Sequence, residues 1–241
     1  MRGAMKKTIA LTVGIAMLCA LLLLGGTWVY ARSQAGTEAA PLSLASTAPR
    51  DDASSGESAA DAAGSTVDGV QDGVYAVDTG SQAGYRVDEV LSGQDVTVVG
   101  RTGDVRGDVT VEGGVLTAAS IEVDMTTVET DDSGRDRQFL RILDTGEHPT
   151  ATFVLTAPVD LSGLATGTAT VEAPGALTIK GVPHEVTATL EARTTGGGAQ
   201  VSGSIPVTFS DYGVTAPNLG FVQVEDAGTV EMLLELTPSD G

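Results

Sequence analysis

The 241-residue chain has one cysteine and two histidines, and aromatic side chains make up only 4% of it. Cys19 has no second cysteine to pair with, so the chain can form neither an internal disulfide nor a cysteine-based metal site. His148 and His184 do not stand in a recognisable motif with a nucleophile or a carboxylate, and no glycine-rich phosphate loop precedes a helix. We therefore predict no enzyme activity, no metal and no cofactor.

Positive charge is also scarce. The chain has 13 lysines and arginines but 32 aspartates and glutamates, which gives a net charge of -19. Phosphate contacts need cations, so this balance argues against a nucleic-acid partner. Asp131, Asp132 and Asp136 crowd one turn, but they lack the spacing and the glutamate of an EF-hand. A solvated acidic turn is the better interpretation than a calcium site.

The one long apolar run covers residues 9–30 and follows Arg2, Lys6 and Lys7. At about 1.5 Å per residue, such a run can cross the roughly 30 Å hydrocarbon core of a bilayer. The cations before it favour an N-terminus inside the cell. We predict that residues 1–31 are a single-pass anchor in the cell membrane, with the C-terminal domain outside the cytoplasm. The alternative is a signal peptide that is cleaved to release a secreted protein.

Residues 32–72 consist mainly of Ala, Ser, Gly, Thr, Pro and Asp. Such a segment cannot bury enough apolar surface to offset its ordering entropy, so we predict a disordered linker. By square-root scaling, about 40 flexible residues reach roughly 35 Å, which would hold a domain off the membrane.

The rest of the chain, residues 73–238, alternates apolar and polar side chains with a period of two, the pattern of strands with one buried face. Val186, Ala188 and Leu190 are one example, and similar runs recur between turns rich in glycine. The run from Leu116 to Met125 changes phase, which predicts a β-bulge. Six or more such strands predict one antiparallel domain, folded as a two-layer sandwich or as a closed barrel.

The centre of this domain departs from the strand pattern. After a strand that ends near residue 130 and an acidic turn, Phe139, Ile142 and Leu143 recur at helical spacing, and Pro149 then precedes a new strand. The sequences MTTVET at 125–130, GRDRQFL at 134–140 and HPTATF at 148–153 follow one another in this order, with GALTIKGV at 175–182 downstream. Together they resemble the signature of the YceI-like, polyisoprenoid-binding family.

This resemblance implies an all-β domain, an eight-stranded antiparallel lipocalin-like barrel with one or two short helices. It also implies that the barrel holds an isoprenoid or similar amphiphilic lipid without transforming it. Closure into a barrel has the further merit of removing edge strands. The apolar residues expected to line the interior and contact the lipid are Tyr85, Val87, Val109, Val111, Phe153, Leu155, Leu177, Ile179, Val207, Phe209, Met232 and Leu234.

Alternation alone favours the opposite state of the interior, in which the same side chains simply fill a core. The chain would then be a structural or protein-interaction module of the cell envelope. Its exposed turn at residues 212–221 would be a contact surface. The two hypotheses differ in whether the barrel is hollow.

Overall fold

The computed structural model describes residues 39–44, 70–162, 169–218 and 220–239. The predicted anchor and most of the predicted linker lie outside these ranges. Within them, no helix is long and apolar enough to cross a membrane.

The described chain forms a single antiparallel sheet of eleven strands and one α-helix. It also contains short 3-10 turns at Met125–Thr127 and Phe209–Tyr212. The elements are β1 Gly73–Val77, β2 Gln82–Leu91, β3 Gln94–Thr102, β4 Val105–Glu112, β5 Val115–Asp124, α1 Ser133–Ile142, β6 Thr150–Leu155, β7 Val159–Asp160, β8 Ala169–Ile179, β9 Val182–Thr195, β10 Gly198–Thr208 and β11 Val222–Pro238.

Strand β1 closes the sheet into a barrel. Its Tyr75 pairs with Val109 of β4 on one side and with Pro238 of β11 on the other. The ring therefore runs β1-β4-β5-β6-β8-β9-β10-β11 and returns to β1. This confirms the predicted eight-stranded antiparallel barrel and excludes the two-layer sandwich.

The predicted bulge lies between β4 and β5. Thr110 pairs with Ala118 and Val111 pairs with Leu116, so Thr117 is the extra residue. A bulge of this kind reverses which side chains face inward. The phase change in the sequence has this cause.

The two ends of the barrel differ. At one end, which we call the closed end, lie the β4–β5 and β9–β10 turns and the junction of β1 with the end of β11. The other end, which we call the mouth, carries α1, residues 209–218 and the β2–β3 turn. The β2–β3 hairpin extends the wall there, because β2 pairs with β11 from Val222 to Leu233. Buried core residues fill the closed end, including Tyr75, Val109, Val111, Leu116, Val159, Leu234 and Leu236.

Candidate functional site: an apolar cavity at the mouth of the barrel

A cavity of about 490 Å³ occupies the barrel between α1 and the packed closed end. This volume falls in the range of pockets that take drug-sized ligands. Inward-facing side chains of β2, β3, β5, β6, β8, β10 and β11 form its walls. Most of these side chains are aliphatic, among them Val87, Val98, Ile121, Val123, Leu177, Ile179, Ile205, Val207 and Met232.

Helix α1 covers the cavity with its apolar face, which carries Phe139 and Ile142 and continues into Leu143. Phe139 stacks on Tyr85 of β2, with ring centroids 5.0 Å apart and planes 7° from parallel. The helical spacing of these residues was visible in the sequence, but it did not show that the helix closes a cavity.

The structure divides the twelve residues that we predicted to contact a lipid into two groups. Eight line the cavity, namely Tyr85, Val87, Phe153, Leu177, Ile179, Val207, Phe209 and Met232. The other four do not line it and instead belong to the packed core or contact it, namely Val109, Val111, Leu155 and Leu234. The barrel is thus filled at one end and hollow at the other, and contact of the eight with a lipid stays a prediction.

Sequence reasoning missed the part of the lining that comes from the loop before β11. Val214, Pro217 and Phe221 of this loop line the cavity at the mouth. Their spacing is neither that of a strand nor that of a helix, so no periodic signal could have identified them.

Two glycines allow aromatic rings to lie flat against the wall. A Cβ atom on Gly175 would stand 2.3 Å from the ring of Phe153, and one on Gly100 would stand 2.4 Å from the ring of Tyr85. Real Cβ contacts are never this short, so a larger residue at either position would push the ring into the cavity.

A buried ion pair marks the edge of the cavity. Glu89 faces inward from β2 with 7% of its surface exposed, and its carboxylate lies 3.3 Å from a guanidinium nitrogen of Arg135. Arg135 also pairs with Asp131 at 2.6 Å. A buried carboxylate is tolerated only with such a partner. The pair therefore connects the first turn of α1 to the barrel wall.

The loop before α1 is held by side-chain acceptors. Asp132 caps the helix, because its carboxylate accepts hydrogen bonds from the backbone N–H groups of Gly134 and Arg135 at 2.7 and 2.9 Å. Asp136 accepts from the N–H and the hydroxyl of Thr130 at 2.9 and 2.7 Å. The acidic turn thus positions α1 over the cavity.

The tyrosines of the cavity remain uncharged at neutral pH. Burial raises the pKa of Tyr85 far above its usual value, and the nearby Arg135 guanidinium only partly opposes this. Burial also raises the pKa of Tyr212, with a smaller contribution from Asp211. These phenols therefore add no negative charge to the lining.

Neither of the two histidines lines the cavity. The imidazole Nε2 of His184 is 3.7 Å from a carboxylate oxygen of Asp211, and its ring meets Tyr212 edge-on at 5.9 Å. His148 packs against Gly181. In the described ranges, no group of three or more His, Cys, Asp or Glu side chains is placed to hold a metal ion.

Comparison with known proteins finds a matching family model and solved structures with a similar fold. A family model described as the YceI-like domain matches residues 75–236. The fold is similar to that of a polyisoprenoid-binding domain from Saccharophagus degradans implicated in plant cell wall breakdown, with a TM-score of 0.54, 17% identity and coverage of 70% of this chain and 100% of that one. BcnA from Burkholderia cenocepacia matches with a TM-score of 0.50 and 21% identity over 62% of this chain and 94% of its own. No curated protein sequence matches the chain.

Proposed function

Since this chain belongs to the YceI-like family and encloses an apolar cavity, we propose that it binds an isoprenoid or another long-chain amphiphile without transforming it. The cavity of about 490 Å³ at the mouth is the observation that carries this proposal. A structural module with a filled barrel would have no use for this space. The similar domain from Saccharophagus degradans, which binds polyisoprenoids, supports the same ligand class.

The lining supplies the affinity by burial alone. Each methylene that leaves water gains roughly 0.8 kcal/mol, so ten of them gain about 8 kcal/mol before the costs of association. An aliphatic wall offers no directional contacts along a hydrocarbon chain, so such a site selects for length and slenderness. The Glu89–Arg135 pair lies at its edge, where the polar end of an amphiphile would remain.

We further propose that the barrel stands outside the cytoplasm on a membrane tether. The apolar run at residues 9–30 and the cations before it support this arrangement. Cleavage within that run would instead release the barrel as a secreted carrier.

The test is ligand-dependent stability. The full chain, purified in detergent and delipidated, should melt at a higher temperature as the C20 alcohol geranylgeraniol is added, while glycerol should have no effect. A ligand at about one hundred times its Kd stabilises the folded state by about 2.7 kcal/mol. Native mass spectrometry of the chain before delipidation should show a bound lipid. The proposal would be refuted if no lipid were bound to the purified chain and the C20 alcohol did not change its melting temperature.

A further inference from the structure

Six residues of the predicted linker, 39–44, lie on the outer wall of the barrel, and we call this segment the strap. Leu42 and Leu44 are only 8% and 7% exposed, and they pack against Leu233 of β11. The side chains beside Leu233 in the strand, Met232 and Leu234, face the interior. Leu233 therefore points outward, and the strap is what shields it from water.

A buried charge cluster lies under the strap. Glu231 of β11 is 5% exposed and faces outward like Leu233. Its carboxylate is 3.0 Å from Nε of Arg86 on β2 and 3.7 Å from a guanidinium nitrogen of Arg101 on β3. The backbone N–H of Leu42 donates to the same carboxylate at 3.4 Å. The strap thus covers a charge that is compensated by arginines from β2 and β3.

The first residues of the strap lie on the mouth side of this cluster. Arg86 donates to the carbonyl of Ala39 at 2.6 Å, and Arg101 donates to the carbonyl of Ala40. Ala39 shares a surface cleft of about 180 Å³ with Arg135 in the first turn of α1. The N-terminal end of the strap, at Ala39, therefore lies beside the helix that covers the mouth.

The position of the strap in the sequence limits how far the barrel can move from the predicted anchor. Only residues 31–38 separate the apolar run from the strap, and eight residues span at most about 28 Å. Without the strap, the tether would extend to residue 72 and span up to about 150 Å. Docking of the strap shortens the tether about fivefold.

We infer that the strap fixes the tether to the barrel wall and thereby holds the mouth of the barrel close to the membrane, where a lipid would enter. This inference rests on the anchor in the proposed function. The rim of the mouth fits such a position, because it exposes large apolar side chains to solvent. Phe221, in the loop before β11, is 63% exposed, and Val90, beside the β2–β3 turn, is 37% exposed. These side chains would enter the interface of the bilayer at little cost.

Energy transfer to a labelled membrane tests the inference. In a Cys19→Ser background, a donor dye is attached to Ser210→Cys at the mouth or to Thr195→Cys at the closed end, both exposed positions. The full chain is placed in phosphatidylcholine vesicles that carry acceptor dye on their headgroups. We expect more transfer from the mouth than from the closed end.

The double variant Leu42→Ser with Leu44→Ser should abolish this difference, because it removes the apolar contacts of the strap. Leu233→Ser should also abolish the difference, because Leu233 is the residue of the barrel wall that Leu42 and Leu44 contact. Ala39→Ser with Ala40→Ser is the matched control, since these side chains are exposed and their carbonyls remain. Circular dichroism should show that all variants keep their β-sheet content.

With the strap unaltered, equal energy transfer from the mouth and the closed-end positions would overturn the inference. So would a difference in transfer that persists in the Leu42→Ser, Leu44→Ser double variant. If neither position showed energy transfer, the result would contradict the proposed membrane anchor and therefore also this inference. Lipid binding is tested separately, because the melting rise with the C20 alcohol should be the same in all strap variants. A transfer difference without a melting rise would overturn the binding proposal and leave the strap in place.

Discussion

At the scale of single residues, two valines that both occupy apolar positions of an alternating strand have different surroundings. Val111 of β4 is 3% exposed and packs in the closed end, whereas Val207 of β10 is 8% exposed and lines the cavity. The consequence of enlarging either side chain therefore depends on the half of the barrel in which it lies. The pair provides a direct test of where the hollow is.

Val207→Trp should fill part of the cavity and abolish the melting rise with the C20 alcohol. The free energy of unfolding should stay within about 1 kcal/mol of the unaltered chain, because the indole enters existing space. Val111→Trp should lower it by about 1–3 kcal/mol through overpacking. Urea unfolding and melting with ligand measure both effects. A large loss of stability from Val207→Trp would show that the interior has no room there.

At the scale of elements, helix α1 depends on tertiary contacts for its stability. It has ten residues, shorter than an isolated helix needs to be stable in water. Its stability comes from the cap at Asp132, from the stack of Phe139 on Tyr85 and from the apolar face over the cavity. Under the proposed function, a lipid that entered the cavity at the mouth would have to pass this helix.

Asp132→Ala should cost about 1 kcal/mol, because two backbone N–H groups of the first turn lose their acceptor. Asp132→Asn should cost less, since its amide oxygen can still cap the helix. Ser133→Ala, an exposed change one residue later, is the control. Urea unfolding gives the loss, and amide hydrogen exchange should rise in residues 133–142. Unchanged exchange in Asp132→Ala would show that the cap does not hold the helix.

At the scale of the whole molecule, closure depends on a five-residue strand. Strand β1 pairs with β4 and β11 at once, and Tyr75 in its centre is only 6% exposed. Its loss would leave one edge of β4 and one edge of the end of β11 unpaired. Unpaired edges invite association with other chains.

A fragment of residues 70–241 should therefore melt cooperatively as a monomer, whereas a fragment of residues 78–241 should lose cooperative melting or associate. Circular dichroism and size-exclusion chromatography distinguish these outcomes. Equal behaviour of the two fragments would show that the barrel does not need β1 for closure.

Local patterns in the sequence predicted much of this architecture. Alternation located the strands, the phase change between Leu116 and Met125 predicted a bulge that lies at Thr117, and the spacing of Phe139 and Ile142 predicted the helix. Within the acidic turn, Asp136 accepts a hydrogen bond from Thr130 and Arg135 pairs with Asp131, both over short separations in the chain. Each of these features depends on contacts between residues close in the chain, or on which face of one strand is buried.

By itself, the sequence determined the period, the turns and the family motifs, because these depend on neighbouring residues. Only the tertiary structure decided what covers each apolar face. It paired Tyr75 with Pro238, buried Val111 in a core and left Val207 beside a cavity. It also placed Leu42 of an otherwise polar segment on Leu233 of the barrel wall. Such contacts join residues far apart in the chain, and the periodicity of one strand reports that a face is covered without saying by what.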